Sequence, residues 1–349
     1  MISSGLYPGF GIKGTGIAFP EEKGKWINNL DIHKWKHGDD WFKIMSENKL
    51  DPHYQKTKYG FEKRFWVSNP FLLNNTTAST SLDLLLEAAK NSFKDSGLEK
   101  KEIGYVITFS ATSPFYISST ATRVAAGLGL NCPAFEIKAG CSSGIYAMSL
   151  AYTLLAAGCK NVLLAGADTL SKVLDSDSSL LYAGGDGGAS IIIGNVAEYS
   201  RGLFASYFES DGNYADLMHI PGILPPLENV IIGKEFKLQY ESGLNHILES
   251  IWEKIPNQLY QASTIKKDEI DYFIPHHVNQ ILMEKGRKAS GVAEENTGNY
   301  INDIGNIGAS GVYYALHRSI KEKRVKPGDA VMLAAVGGGL NWGGLVLRV

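Results

Sequence analysis

Cys141 lies in the run EIKAGCSSGIYAM, between a short alternating stretch and an apolar, helix-like one. A thiol at such a junction has the free main-chain N–H groups of a helix first turn beside it. The positive end of the helix dipole favours the thiolate, the nucleophilic form, so the placement predicts a lowered thiol pKa. Ala139, Gly140 and Gly144 leave room for a substrate to approach. The other cysteines, Cys132 beside Pro133 and Cys159 between a helix and a strand, read as structural.

Three further stretches carry polar or main-chain groups that could serve a nucleophilic thiol. IPHHVN puts His276 and His277 directly after an apolar strand, at the strand end where open α/β sheets bind ligands. Neighbouring side chains there diverge, so one of the two histidines is expected to face a site, as a proton carrier or as a donor to an oxyanion. NDIGNIGAS places Asn306 in a glycine-rich loop entering a helix, which is also ordinary turn chemistry. VGGGLNWGG follows a buried strand. Its N–H groups can form an oxyanion hole, and the same residues can form a hairpin turn.

The elements that must hold these groups alternate. Strands are expected over 12–18, 103–110, 134–138, 161–166, 189–194, 271–274, 329–336 and 344–349. Helices are expected over 79–96, 119–128, 143–157, 243–263, 279–289 and 309–322. The stretch 29–64 has no clean period and reads as an irregular surface excursion. Strands apolar along their whole length predict a sheet covered on both faces, hence an α/β protein. Both halves of the chain repeat helix, buried strand and glycine turn, which points to an internal duplication.

Composition narrows the class. The 349 residues are 44% hydrophobic and carry a formal net charge of −2, with no basic excess for a nucleic-acid partner. Three cysteines make no disulfide framework and fit a reducing compartment. The opening MISSGLYPGFGIKGTG lacks the basic-then-apolar layout of a secretory signal, and no apolar run approaches the ~20 residues that span a bilayer. The expectation is a cytoplasmic protein with neither membrane nor nucleic-acid partner.

In order along the chain, IKGTGIAFPE, AGCSSGIYAM, GGDGGASIIIG, IPHHVN, GNIGAS and GGGLNWG together resemble the β-ketoacyl-acyl-carrier-protein synthase III family of thiolase-like condensing enzymes. The resemblance runs from about Ile12 to the C-terminus. It implies a thiolase-like fold of two duplicated halves, 1–196 and 197–349, stacked as α-β-α-β-α layers, in a homodimer. It implies that Cys141 accepts an acyl group, that His276 and Asn306 hold the extender's thioester oxygen, and that Gly338 with the Cys141 N–H forms the oxyanion hole. No metal and no cofactor are implied; coenzyme A or acyl-carrier-protein thioesters are the substrates.

Other positions follow from the same resemblance. Phe115, Tyr116 and Ile117 match a loop that reaches across the dimer to shape the partner's acyl pocket. Tyr54, Lys58 and Lys172 stand where a tryptophan and two arginines usually clamp coenzyme A, and lysine lacks the planar guanidinium that stacks on adenine. Lys285, Arg287 and Lys288 offer a basic helix face for an acidic carrier protein, or simply a solvated face. These departures favour specialised, polyketide or fatty-acid-derived metabolism over housekeeping fatty acid initiation. Acyl transfer to oxygen or nitrogen uses the same residues. A cysteine thioesterase or amidohydrolase, and a non-catalytic partner of a ketosynthase heterodimer, are the readings from other classes.

Overall fold

The computed structural model describes residues 2–3, 7–47, 52–72, 79–198, 200–221, 236–241, 244–263 and 265–349. The first half contributes strands β1 (Phe10–Ala18), β2 (Tyr105–Phe109), β3 (Ala134–Ile137), β4 (Asn161–Thr169) and β5 (Asp186–Asn195). They pair in the order β1-β5-β4-β2-β3, with β2 parallel to both β3 and β4 and the other pairs antiparallel. The second half contributes β6 (Gly202–Ser210), β7 (Tyr272–Pro275), β8 (Ala330–Gly337) and β9 (Asn341–Arg348). Their order is β6-β9-β8-β7, with only β7 and β8 parallel. A single parallel bridge from Phe273 to Thr297 occupies the place that β3 holds in the first sheet. The two sheets therefore repeat one strand order. The short strands Ile2–Ser3 and Tyr7–Pro8 pair with β6, so the chain begins on the second sheet, not the first.

Alternation along the strands explains the layering, because successive side chains leave a sheet on opposite faces. Ile107, Val162, Leu164, Val331 and Leu333 point into one shared core. That core also takes Ile145, Met148 and Tyr152 of one helix, Ser143–Ala156, and Val312, Tyr313 and Leu316 of another, Gly311–Lys321. Their neighbours Val106 and Leu163 face outward onto helices α1 (Ser81–Ser96) and α2 (Thr120–Leu128). The two central helices are α3 (Ser143–Ala156) and α6 (Gly311–Lys321). Met332, Ala334 and Val336 face α4 (Leu244–Ala262) and α5 (Gln280–Ser290). The layers run α1/α2, first sheet, α3/α6, second sheet, α4/α5. Residue 243, expected to open the fourth helix, lies outside the described residues. No helix among the described residues is long and apolar enough to cross a membrane.

Two expectations need correcting. The stretch 29–64 is not irregular: it holds helices Asn29–His37, Trp41–Glu47 and Pro52–Tyr59, and its end enters the strand Lys63–Trp66, which pairs with Lys25–Asn28. The first of these helices starts with a reciprocal cap between Asn28 and Asp31 and buries Ile32, so local capping and packing hold it where periodicity gives no signal. Strand β6 was also absent from the sequence reading. It is half-exposed toward its end and carries a register shift between Leu203 and Ala205, which blurs its alternation.

Candidate active site

The elbow around Cys141 closes on itself. Ser142 Oγ donates to the Ala139 carbonyl (2.6 Å) and Ser143 Oγ to the Gly140 carbonyl (2.7 Å), while Ala139 N–H donates to Ser143 Oγ (2.7 Å). The two serines that follow the cysteine thus tie the loop before it to the helix after it. Gly140 takes φ +57°, and a Cβ there would stand 2.6 Å from the Gly338 nitrogen. A Cβ on Gly337 would stand 2.6 Å from the nitrogens of both Cys141 and Ser142. The β8–β9 hairpin turn is therefore pressed against the thiol-bearing elbow, main chain against main chain. The hairpin and the N–H cluster read from VGGGLNWGG are the same structure.

Asn306 is held by its backbone and oriented by its side chain. Its N–H donates to the Ala183 carbonyl (2.8 Å), and its carbonyl accepts from Gly185 N–H (2.8 Å). Its Oδ1 accepts from Gly308 N–H (3.0 Å), which leaves the amide nitrogen as the donor end of the side chain. The same loop meets the elbow helix: a Cβ on Gly144 would lie 2.9 Å from the Ala309 carbonyl, and Tyr313 Oη donates to the Gly144 carbonyl (2.8 Å).

His276 ends strand β7 and is 1% exposed, with its N–H donating to the Ala334 carbonyl (2.8 Å). Its Nδ1 is buried without a partner. His277 Nδ1 is likewise unpartnered, but its Nε2 lies between the Gly298 carbonyl (3.1 Å) and the Tyr300 N–H (3.3 Å), so that ring is anchored to structure. Burial holds both rings neutral, His276 down at about 3, with the adjacent His277 adding to the effect, and His277 at about 4. His276 is thus an imidazole, not an imidazolium, over the physiological range.

The expected activation of the thiol is absent in the free chain. Burial, then the negative charge of Asp168, push Cys141 up to about 12. Part of the residue stays accessible, as a nucleophile requires.

Asp168 is the residue that sequence reasoning passed over. It is fully buried near the end of β4 and accepts from Ala111 N–H (2.7 Å), Thr112 N–H (3.0 Å), Thr112 Oγ1 (3.0 Å), Ser110 Oγ (3.2 Å) and Ala309 N–H (3.4 Å). It joins the root of the 113–119 loop to the Asn306 loop. Asp186 does similar work, accepting from Val67 N–H (2.7 Å) and from Ser171 N–H (2.8 Å) and Oγ (2.5 Å). Burial raises Asp168 to about 6 and Asp186 to about 7. Their signal in the sequence was a carboxylate inside an apolar, glycine-flanked strand, GADTL and GGDGG.

Tyr116 and Ile117 are 67% and 90% exposed, and the Phe115 ring lies under the Arg123 guanidinium at 3.9 Å. Lys58 donates to Tyr54 Oη (2.6 Å) and lies over the Tyr54 and Tyr59 rings. Lys172 is half-buried, which lowers its pKa against the pull of Asp186 and Asp83. The basic face of α5 is already matched with acid. Lys285 pairs with Glu249 (3.0 Å) and Glu253 (3.4 Å), and Arg287 (2.6 Å) and Lys288 (3.6 Å) both pair with Glu284. Among the described residues no group of three His, Cys, Asp or Glu side chains is placed to hold a metal ion.

Comparison with known proteins decides the family. Residues 135–212 and 260–349 match the 3-oxoacyl-[acyl-carrier-protein (ACP)] synthase III family and its C-terminal part, and 54–173 match the β-ketoacyl synthase N-terminal domain. The chain is 30% identical over 346 residues to the β-ketoacyl-[acyl-carrier-protein] synthase III of Paracoccus denitrificans, covering 97% of this chain and 98% of that one. The chain belongs to the β-ketoacyl-[acyl-carrier-protein] synthase III family. It is 31% identical over 277 residues to the Rhodospirillum rubrum member, covering 84% of that protein. The crystal structure of the Aquifex aeolicus 3-oxoacyl-[acyl-carrier-protein] synthase III superposes with a TM-score of 0.81 at 26% identity, over 98% of this chain and 100% of that one. The fold is the thiolase fold, and the chain is an acyl-transferring condensing enzyme of the synthase III type.

Proposed function

We propose that Cys141 takes an acyl group from an acyl thioester and that the acyl-enzyme then condenses with a malonyl-type or β-ketoacyl thioester. In the first step the sulfur attacks the thioester carbonyl, the carbon–sulfur bond of the donor breaks, and the proton lost by Cys141 ends on the departing sulfur, which leaves as the coenzyme A or carrier-protein thiol. The Cys141 and Gly338 N–H groups stabilise the tetrahedral oxyanion. In the second step a malonyl thioester loses CO₂, and the electrons of the broken bond form an enolate. Neutral His276 and the Asn306 amide donate to its oxygen. The enolate carbon attacks the acyl-cysteine carbonyl, a carbon–carbon bond forms, and the Cys141 sulfur leaves. Two half-reactions on one nucleophile give ping-pong kinetics.

The observation that carries this reading is the packing of the Cys141 elbow directly against Gly337–Gly338, with the Asn306 loop on the same elbow helix. A thioesterase needs a bound, activated water. We read the donors here instead as serving an acyl oxygen and an enolate oxygen. We place the enzyme in the cytoplasm as a homodimer, using no cofactor beyond its thioester substrates, in specialised fatty-acid- or polyketide-derived metabolism. Tyr54 and Lys58, in place of the usual aromatic and arginine clamp, support that pathway. The names of the curated relatives favour a second reading, fatty acid initiation.

Intact-protein mass spectrometry with a panel of acyl-coenzyme A and acyl-carrier-protein thioesters tests the reading, beside Cys141→Ala. An adduct on Cys141, absent from the variant, is expected. Acetyl as the best donor would favour initiation, and a longer or β-ketoacyl donor the specialised role. No adduct from any donor on folded protein would refute acyl loading and favour the partner-subunit reading.

A further inference from the structure

Arg64 is fully buried, yet no carboxylate lies within ion-pair distance of it among the described residues. Its guanidinium donates to three oxygens: Asn29 Oδ1 (2.6 Å), the Tyr182 carbonyl (2.6 Å) and the Glu62 carbonyl (3.3 Å). Two residues on, Trp66 Nε1 donates to the Gly184 carbonyl (2.8 Å), and Val67 N–H donates to Asp186 (2.7 Å). The carbonyls of 182 and 184 thus face the strand Lys63–Trp66. The intervening Ala183 carbonyl and the Gly185 N–H face the other way, onto the backbone of Asn306 (2.8 Å each). Residues 182–185 are clamped between this strand and Asn306. The contact is close enough to require glycine: a Cβ on Gly305 would stand 2.6 Å from the Ala183 carbonyl, and one on Gly185 would stand 2.5 Å from the Ile304 carbonyl.

We propose that Arg64 and Trp66 are positioning residues for the condensation step, acting through the Tyr182–Gly185 segment to fix where the Asn306 amide points. The proposal rests on the reading of Asn306 as an enolate donor. A cation buried without a counter-charge is costly to keep, and a fork that reaches Asn29 and Tyr182 at once is a use for which apolar packing is no substitute. Neither residue touches the elbow directly in the contacts described. Acyl loading on Cys141 should therefore be indifferent to them, while the extender step should not.

The test separates the two half-reactions in the full-length chain. Acylation of Cys141 is followed by intact mass with the acyl-coenzyme A that labels it fastest. Condensation of the preloaded enzyme is followed by product formation from malonyl-coenzyme A and from acetoacetyl-coenzyme A, with kcat and KM resolved. Trp66→Phe, which removes one donor and keeps a smaller aromatic ring, and Arg64→Met should lower condensation kcat about 10- to 100-fold, the scale of a displaced catalytic group. Acylation should stay within about 2-fold, and Arg64→Lys should recover part of the loss. Equal effects on both half-reactions, or none on condensation, overturn the positioning role. If Arg64→Met does not fold, Trp66→Phe alone decides. Asn306→Ala serves as the reference: if it leaves condensation intact, or the wild-type chain condenses neither extender, the underlying reading fails instead.

Discussion

The state of the Cys141 thiol makes a sharp prediction, because two physical effects oppose each other there. A helix N-terminus stabilises an anion by about 0.3–1 kcal/mol, and by about 2 in favourable cases. The rise from 9 to about 12 corresponds to roughly 4 kcal/mol against the thiolate at ~1.36 per unit. Desolvation wins, and the resting nucleophile is a neutral thiol. At pH 8 its thiolate fraction is about 10⁻⁴, against about 0.1 for an ordinary cysteine of pKa 9. Higher basicity recovers part of the deficit: with a Brønsted slope of about 0.45, three units return roughly 20-fold. Alkylation of Cys141 by iodoacetamide at pH 8 should then be about 50-fold slower than that of an unperturbed thiol. It should rise about tenfold per pH unit from 7 to 10 without levelling off. The assay is peptide-mapped alkylation, with Cys141→Ala to separate Cys132 and Cys159, both of which burial also raises. A plateau below about pH 9 would refute the reasoning and put the helix dipole ahead of burial.

Other outcomes follow from the same geometry. His276 is held at about 3, so it is neutral on both sides of pH 6.5, and lowering the pH from 8.5 to 5.5 should leave the extender half-reaction unchanged; a requirement for imidazolium would instead show activity falling as the pH rises through about 6.5. Gly140→Ala puts a methyl 2.6 Å from the Gly338 nitrogen at φ +57°, and should lower the acylation rate by at least about 100-fold, measured by intact mass. Lys285→Ala and Arg287→Ala should each change the KM for an acyl-carrier-protein substrate by less than about 2-fold, since both cations are already matched by Glu249, Glu253 and Glu284. Asp168→Asn removes the charge that opposes Cys141 ionisation and, while its Oδ1 still accepts from residues 110–112, sets an NH₂ against the Ala309 N–H, so alkylation at pH 8 should speed up while turnover falls.

What could be read in advance was whatever a local pattern encodes. Strand β4 is buried at every residue, and its run NVLLAG announced that. Helix α1 carries Thr80 and Asp83 as a reciprocal cap and ends on Gly97 at φ +66°, all visible as residue types. Cys141 could be singled out because it sits at a strand–helix boundary among small residues; His276, Asn306 and Gly338 were assigned roles through the resemblance of their motifs to the synthase III family. What stayed hidden depends on contacts distant in sequence. A lone arginine after GFEK gives no sign that it will be sealed against Tyr182, 118 residues later. Asp168 looks like a strand-end acid until residues 110–112 and 309 close over it. Spacing likewise located the helix start beside Cys141, but burial, which decides the thiol's charge, is set by both halves together.

The repeated strand order explains why the proposed reacting groups come from both halves. In each sheet the parallel strands run the same way, and the described chemistry sits past their carboxyl ends: Cys141 after β3, His276 after β7, Gly338 after β8 and Asp168 at the end of β4. Cys141 precedes α3, and Asn306 precedes α6. These two helices fill the layer between the sheets and touch through Gly144, Ala309 and Tyr313. We infer that they are counterparts in a duplicated unit. In one half the position before the central helix acquired a nucleophile; in the other it acquired an amide donor. Both helices start at the same end of the shared core, so one packing interface sets the distance between Cys141, which we propose carries the acyl chain, and Asn306, which we propose holds the enolate. Gly144→Ala tests this directly, since its Cβ would meet the Ala309 carbonyl at 2.9 Å, well inside the 3.4 Å at which ordinary contact begins, so the backbone must shift. Pushing the two helix starts apart should slow carbon–carbon bond formation more than acyl loading. A variant that slows both half-reactions equally would mean that the interface supports the fold without setting the catalytic distance.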